Sequence, residues 1–253
     1  MQPEATPIRP RPPASLDETV AALNTLTRHQ GAVAVLERAL SDPAVGPIAL
    51  VSSFGAESVA LLHLLSVIDR SVPVIFLDTE MLFPETLAYQ RELAERLRLS
   101  DLRIMRPAPA SVAARDPDGT LHGTDPDACC ALRKTEPLAE ALDGFAAWIT
   151  GRKRYQGGQR AELEFFEVEE ATGRIKVNPL ARWRAEDVAE YMAENNLPRH
   201  PLVSKGYPSI GCAPCTTRVA PGEDPRAGRW RGAGKTECGI HFGPGGVVRR
   251  RAS

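Results

Sequence analysis

The sequence predicts an α/β protein built on a parallel sheet with helices on both faces. Short apolar runs at residues 48–51, 72–77 and 102–105 read as buried strands. Between them lie stretches with helical spacing. One carries Val59, Leu61, Leu62 and Leu65 as its apolar positions, and the other opens at Pro84 and runs to about Leu97. A strand, a helix and a second strand in succession give parallel pairing, with the connecting helices covering the sheet.

The remaining elements follow in order. Residues 1–14 are proline-rich and polar, with no apolar core to act as a signal peptide, and read as the disordered leader of a cytoplasmic protein. Ser15 to Glu18 form a capping-box pattern that starts a helical region extending to about Leu40. Residues 115–123 form a polar stretch. Asp125 suits an N-cap and Pro126 a first helical position; Pro137 is expected to end that short helix and begin another. Residues 146–150, 163–168 and 174–177 read as strands and 185–195 as a helix. From Pro198 onward the chain is dense in Gly, Pro, Arg and Cys, as in loops held by ligands rather than by a core. The organisation is thus a leader (1–14), an α/β domain (15–198) and a C-terminal segment (199–253) of the same functional unit.

Hydrophobic residues make up 43% of the 253 residues and charged residues 25%, values ordinary for a globular protein. No apolar run approaches the roughly 20 residues of a membrane span; the longest, 59–68, is interrupted by His63 and Ser66. The net charge of −1 conceals a division. Residues 1–144 hold 13 Lys and Arg against 20 Asp and Glu, whereas 145–253 hold 18 against 12. With no aromatic interleaving and no nucleic-acid reading module, the basic half points to a small phosphorylated ligand and away from nucleic acid.

Five cysteines in a chain of this kind favour metal binding or thiol chemistry over disulfides. Cys129-Cys130 and Cys212-Ala213-Pro214-Cys215 offer four thiolates, which suit zinc or an iron–sulfur cluster. Adjacent thiolates reach different irons of a cuboidal cluster more readily than one zinc, so a cluster is favoured. Cys238 is left over, between Lys235 and His241, whose charges would lower its pKa from about 8.5. Ser52-Ser53-Phe54-Gly55-Ala56-Glu57-Ser58 joins a strand to a helix start and could cradle an anion with backbone N–H groups. Lys134, Arg152, Lys153, Arg154, Arg160, Arg226 and Arg229 are candidates to surround the same anion. Asp78-Thr79 ends the second strand, where ligands bind in such sheets.

Together these segments, over roughly residues 30–243, resemble the assimilatory phosphoadenylyl- and adenylyl-sulfate reductase family. The likeness rests on residues 52–58, Leu77-Asp78-Thr79, Cys129-Cys130 with Arg133-Lys134, and 151–156. It is most specific in residues 207–216 and 222–230 and in the run from Lys235 to His241. The resemblance implies an adenine-nucleotide α-hydrolase-like fold and a 4Fe–4S cluster on Cys129, Cys130, Cys212 and Cys215. It also implies Cys238 as catalytic cysteine, Lys134 bridging cluster and substrate, adenylyl sulfate as substrate and thioredoxin as reductant. Homo-oligomerisation is left open. Two places depart from the common pattern: Arg152-Lys153-Arg154 followed by Gly157, and Glu80 after Asp-Thr. The alternatives are the 3′-phosphorylated substrate or both nucleotides, a tRNA-thiolating ATP-pyrophosphatase (whose Ser-Gly-Gly-x-Asp-Ser loop is lacking) and a cluster-based sensor.

Overall fold

The structure, a computed structural model, describes residues 15–232 together with 235, 237 and 239. The leader read in residues 1–14 therefore lies outside the described residues, as do Cys238 and His241.

Helix α1 (Leu16–Thr27) opens with the reciprocal cap that the sequence predicts. The Glu18 N–H donates to Ser15 Oγ at 3.2 Å, and the Ser15 N–H donates to Glu18 Oε2 at 2.8 Å. The helical region does not run unbroken to Leu40. It stops at Thr27 and restarts as α2 (Ala32–Ser41), with Gly31 as N-cap. Then come β1 (Ile48–Ser52), α3 (Ser58–Ile68), β2 (Val74–Leu77), α4 (Pro84–Arg96) and β3 (Leu102–Met105), in the expected alternation.

Helix α5 (Pro109–Arg115) precedes the polar stretch, and the single turn α6 (Leu121–Thr124) forms within its end. Next are α7 (Pro126–Cys130), a π-helical turn (Ala131–Thr135) and α8 (Glu136–Ala141). Pro137 does not stop a helix here. It sits in the first turn of α8, following a π turn whose wider bonding tolerates the missing N–H. The described part ends with β4 (Ala147–Ile149), β5 (Phe166–Glu169), β6 (Arg174–Val177), α9 (Ala185–Glu194) and the segment 198–232, which contains only short 3₁₀ turns.

The sheet order is β3-β2-β1-β4-β6-β5. All neighbours are parallel except β5 and β6, which pair antiparallel at one edge. A tight turn joins these two, with Gly173 at φ +65° donating its N–H to Glu169 O at 2.8 Å; so short a link cannot cross over to make a parallel pair. Side chains alternate between two cores. Leu50, Val74 and Phe76 join the large core with α1–α4 and α9, and Ala49, Ile75 and Trp148 join a smaller one with α8. The chain leaves β1 toward β2 on one side and reaches β4 on the other, so a crevice opens beyond the C-terminal ends of β1 and β4.

Candidate active site

A cavity of about 350 Å³ fills that crevice. Its wall includes Ser52, Ser53, Gly55, Glu57 and Ser58 from the loop after β1, and Thr79 from the loop after β2. Arg152 and Lys153 follow β4, Lys134 comes from the π turn, and Cys212, Arg226 and Arg229 from the C-terminal segment. The basic second half of the chain thus meets the first loop, as its charge suggests. Three of the described anion-site candidates do not reach the wall. Phe54 is fully buried with its ring 5.2 Å from Phe76, anchoring the loop at φ +47°. Asp78 pairs with Arg106 at 2.9 Å and accepts from the Glu80 N–H. Arg154 turns away to Leu163 O and Glu164.

The loop after β1 is held by its own hydroxyls: Phe54 N–H donates to Ser52 Oγ at 3.2 Å and Gly55 N–H to Ser58 Oγ at 2.9 Å. Glu57 accepts from Lys153 Nζ at 2.9 Å and from the Tyr155 hydroxyl. Burial alone would raise the Glu57 pKa, but the ammonium and the phenol outweigh it and hold the carboxyl below its usual range. Burial pushes Lys153 down, against the pull of Glu57. Arg152 is likewise committed, donating to Glu167 at 2.6 Å and to Asn178 at 3.1 Å.

Arg226 has its pKa pushed down to about 10 by burial and then by the Arg160 charge, and so stays cationic at neutral pH. Arg229 donates to Ile210 O at 3.2 Å and lies 4.4 Å from the Trp230 ring centroid. Trp230 is 5% exposed, and among the described residues its buried indole N–H has no acceptor. Gly228 explains how this strand-like return fits: a Cβ there would stand 2.2 Å from Thr217 O, the atom beside the Thr217 N–H that donates to Gly228 O.

Beside the cavity the two cysteine motifs approach each other. Asp125 caps α7 by accepting from Asp127 N at 3.1 Å and Ala128 N at 2.9 Å, with Pro126 at the helix start, as the sequence suggests. Cys129 and Cys130 close that helix and are buried. Cys212 is buried too, pinned by the Ala213 N–H donating to Met81 O at 2.8 Å and by a contact of 3.2 Å between its sulfur and Thr79 Oγ1. Burial and then the Cys212 sulfur raise the pKa of both Cys129 and Cys215. Four cysteines gathered here, two of them held toward the neutral thiol by burial and by the Cys212 sulfur, suit a group that brings its own positive charge. Among the described residues no three Cys, His, Asp or Glu side chains converge on a single metal position.

Four features escaped the reading of the sequence. Asp116 and Arg133 form a buried ion pair at 2.8 Å, and Arg133 also donates to Thr79 O at 3.0 Å, tying the π turn to the loop that touches Cys212. Tyr155 contacts Glu57, and Glu237 lines the cavity. Lys235 donates to Asp127 Oδ1 at 2.6 Å, so the charge expected to act on Cys238 is anchored to α7.

A cavity at the switch point of a parallel sheet, lined by cationic side chains and bordered by two cysteine pairs, is the arrangement of an α/β protein with a site suited to a small anionic ligand. Residues 47–218 match the family described as the phosphoadenosine phosphosulfate reductase domain, and the chain belongs to that family. It is 50% identical over 234 residues to the adenosine 5′-phosphosulfate reductase of Chelativorans sp. (strain BNC1), covering 91% of this chain and 94% of that one. To the protein of the same name from Mesorhizobium japonicum it is 49% identical, covering 88% and 87%. Among solved structures, the phosphoadenylyl-sulfate reductase of Candida auris in its phosphate complex superposes with TM-score 0.69 at 29% identity, covering 81% and 98%. The fold is that of the adenine-nucleotide α-hydrolase-like proteins, as the resemblance implies.

Proposed function

We propose that this chain reduces adenylyl sulfate to sulfite and AMP at the expense of thioredoxin, through a sulfite adduct on Cys238. The Cys238 thiolate attacks the sulfur of the sulfate, the bond from that sulfur to the phosphate oxygen breaks, and AMP leaves with the electron pair. An S-sulfocysteine remains. A thioredoxin thiolate then attacks the Cys238 sulfur and expels sulfite with the bonding pair. The second thioredoxin thiol resolves the mixed disulfide and restores the Cys238 thiol. The observation that carries the proposal is the convergence of Lys134 and Arg229 on one cavity wall, in a chain half identical to a protein of that name. Two anions must meet in the first step, so preorganised positive charge at the sulfate lowers the barrier.

Cys129, Cys130, Cys212 and Cys215 would hold a 4Fe–4S cluster, and replacing Cys212 with Ser is expected to reduce bound iron and sulfide in the purified protein. When bound, the cluster supplies a fixed electrostatic influence beside the substrate rather than electrons. Lys134, on the turn after Cys130, would orient the sulfate beside it. No described helix is long and apolar enough to cross a membrane, and a thioredoxin-linked reaction suits the cytoplasm.

The second reading, the 3′-phosphorylated nucleotide, is favoured by the Candida auris relative's name. Against it, Arg152 and Lys153 are already paired with Glu167 and Glu57 of the chain itself, which leaves them less charge for an extra phosphate. Sulfite release measured with thioredoxin and each nucleotide at matched concentration tests the choice. Faster turnover of adenylyl sulfate is expected; a strong preference for the 3′-phosphorylated form would overturn it.

A further inference from the structure

Glu237 immediately precedes Cys238, and its carboxylate is placed unlike a surface glutamate. Arg160 grips it in a two-pronged pair, Nε to Oε1 at 2.5 Å and Nη2 to Oε2 at 2.6 Å. Arg226 approaches the same carboxylate at 3.3 Å. The side chains of Glu237 and Arg160 are only 9% and 11% exposed. Two guanidinium groups that would otherwise repel each other share one counter-ion, and Arg160 is braced from the other side by Gln156. On the far side of position 238, a Cβ on Gly239 would meet Thr135 Oγ1 at 3.3 Å, so the chain there lies against the residue after Lys134.

With Glu237 in the wall, about 350 Å³ of cavity remains, within the range that takes a small ligand. The carboxylate therefore borders the anion site and does not fill it. Lys134 and Arg229 still face the cavity.

We infer that Glu237 is a positioning residue for the sulfite transfer: its carboxylate docks on Arg160 and Arg226, fixing the segment that carries Cys238 to the cavity wall, so that Arg160 serves docking rather than substrate binding. This rests on the proposed reaction for its kinetic consequence, but the docking itself does not depend on which nucleotide is bound.

The test uses the cluster-loaded full chain with Glu237→Ala, Arg160→Ala and the double variant. Expected is a fall of about 30-fold or more in the single-turnover rate of adduct formation at saturating adenylyl sulfate, from removing one partner of a buried charge pair. AMP affinity should stay within about twofold, and the double variant should lose no more than either single one. Glu237→Gln, which keeps the shape without the charge, should fall between. A second readout needs no substrate: alkylation of Cys238 by iodoacetamide, followed by mass spectrometry, should speed up severalfold in each variant. Unchanged transfer in Glu237→Ala, additive losses in the double variant, or unchanged alkylation would overturn the inference. Failure of the wild-type protein to turn over adenylyl sulfate would instead sink the proposed reaction, with the alkylation result still deciding the docking.

Discussion

Replacing Asp116 with alanine leaves the Arg133 guanidinium buried without its counter-ion. The native carboxylate accepts from Arg133 Nε at 3.2 Å and Nη2 at 2.8 Å, and from the Leu121 N–H at 2.9 Å. The side chains of Arg133 and Asp116 are 5% and 1% exposed. Burial pushes the Asp116 pKa up, but the Leu121 N–H and the arginine outweigh it and hold the carboxyl below its usual range. Stranding a buried charge costs about 3 kcal/mol or slightly more. Glu80, 3.5 Å from Arg133 but 44% exposed, offsets little of that. At roughly 2–4 °C per kcal/mol for a chain of this size, the midpoint of thermal unfolding should fall by about 6–12 °C. Arg133 also tethers Thr79, which touches Cys212, so iron held by the proposed cluster should drop as well. Circular dichroism during heating and iron analysis measure both. The double variant Asp116→Leu with Arg133→Met removes both charges and should be less destabilised than Asp116→Ala. A fall under about 2 °C in Asp116→Ala, or a double variant worse than the single, would refute the reasoning.

Three further outcomes follow from the geometry. Arg229→Met should lower kcat/KM by about 100-fold, the cost of losing one preorganised donor to the developing charge; steady-state sulfite release measures it. Gly228→Ala forces a Cβ against Thr217 O and should cost about 2 kcal/mol, seen as faster amide exchange in residues 211–230. His200 is buried at 1% exposure, accepts the Leu202 N–H at Nδ1 and faces Thr86 at 3.1 Å, and burial pushes its pKa from 6.5 to about 4. Its stabilisation is thus present above pH 6.5 and lost as the pH falls toward 4. Between pH 7.5 and pH 5 the loss is about 2 kcal/mol, measurable by urea unfolding and reduced in His200→Asn.

The elements that the sequence revealed are those whose signals are local. The apolar runs of β1 and β2 and the caps at Ser15 and Asp125 depend on residues within a few positions of each other. The break between α1 and α2 was hidden because the apolar spacing continues across Gly31. The antiparallel direction of β5 is invisible in its composition and comes only from the tight turn at Gly173. At the site, the loop 52–58 and the four cysteines are legible as motifs, but Phe54 within that loop, and Asp78 and Arg154 in neighbouring motifs, point elsewhere. Which cation pairs with which carboxylate could not be read: Arg133 and Asp116 are 17 residues apart and Arg160 and Glu237 are 77 apart, and topology alone brings them together.

The reaction proposed here stores sulfite on one sulfur atom between its two steps, so withholding the second step should trap it there. The full chain is incubated with adenylyl sulfate and no thioredoxin, then digested and weighed by mass spectrometry. The peptide containing Cys238 should gain about 80 Da, the mass of an added SO₃, with one AMP released per adduct, and thioredoxin should return it to its original mass. AMP and sulfite formed with no adduct on Cys238, or an adduct on another residue, would contradict the mechanism.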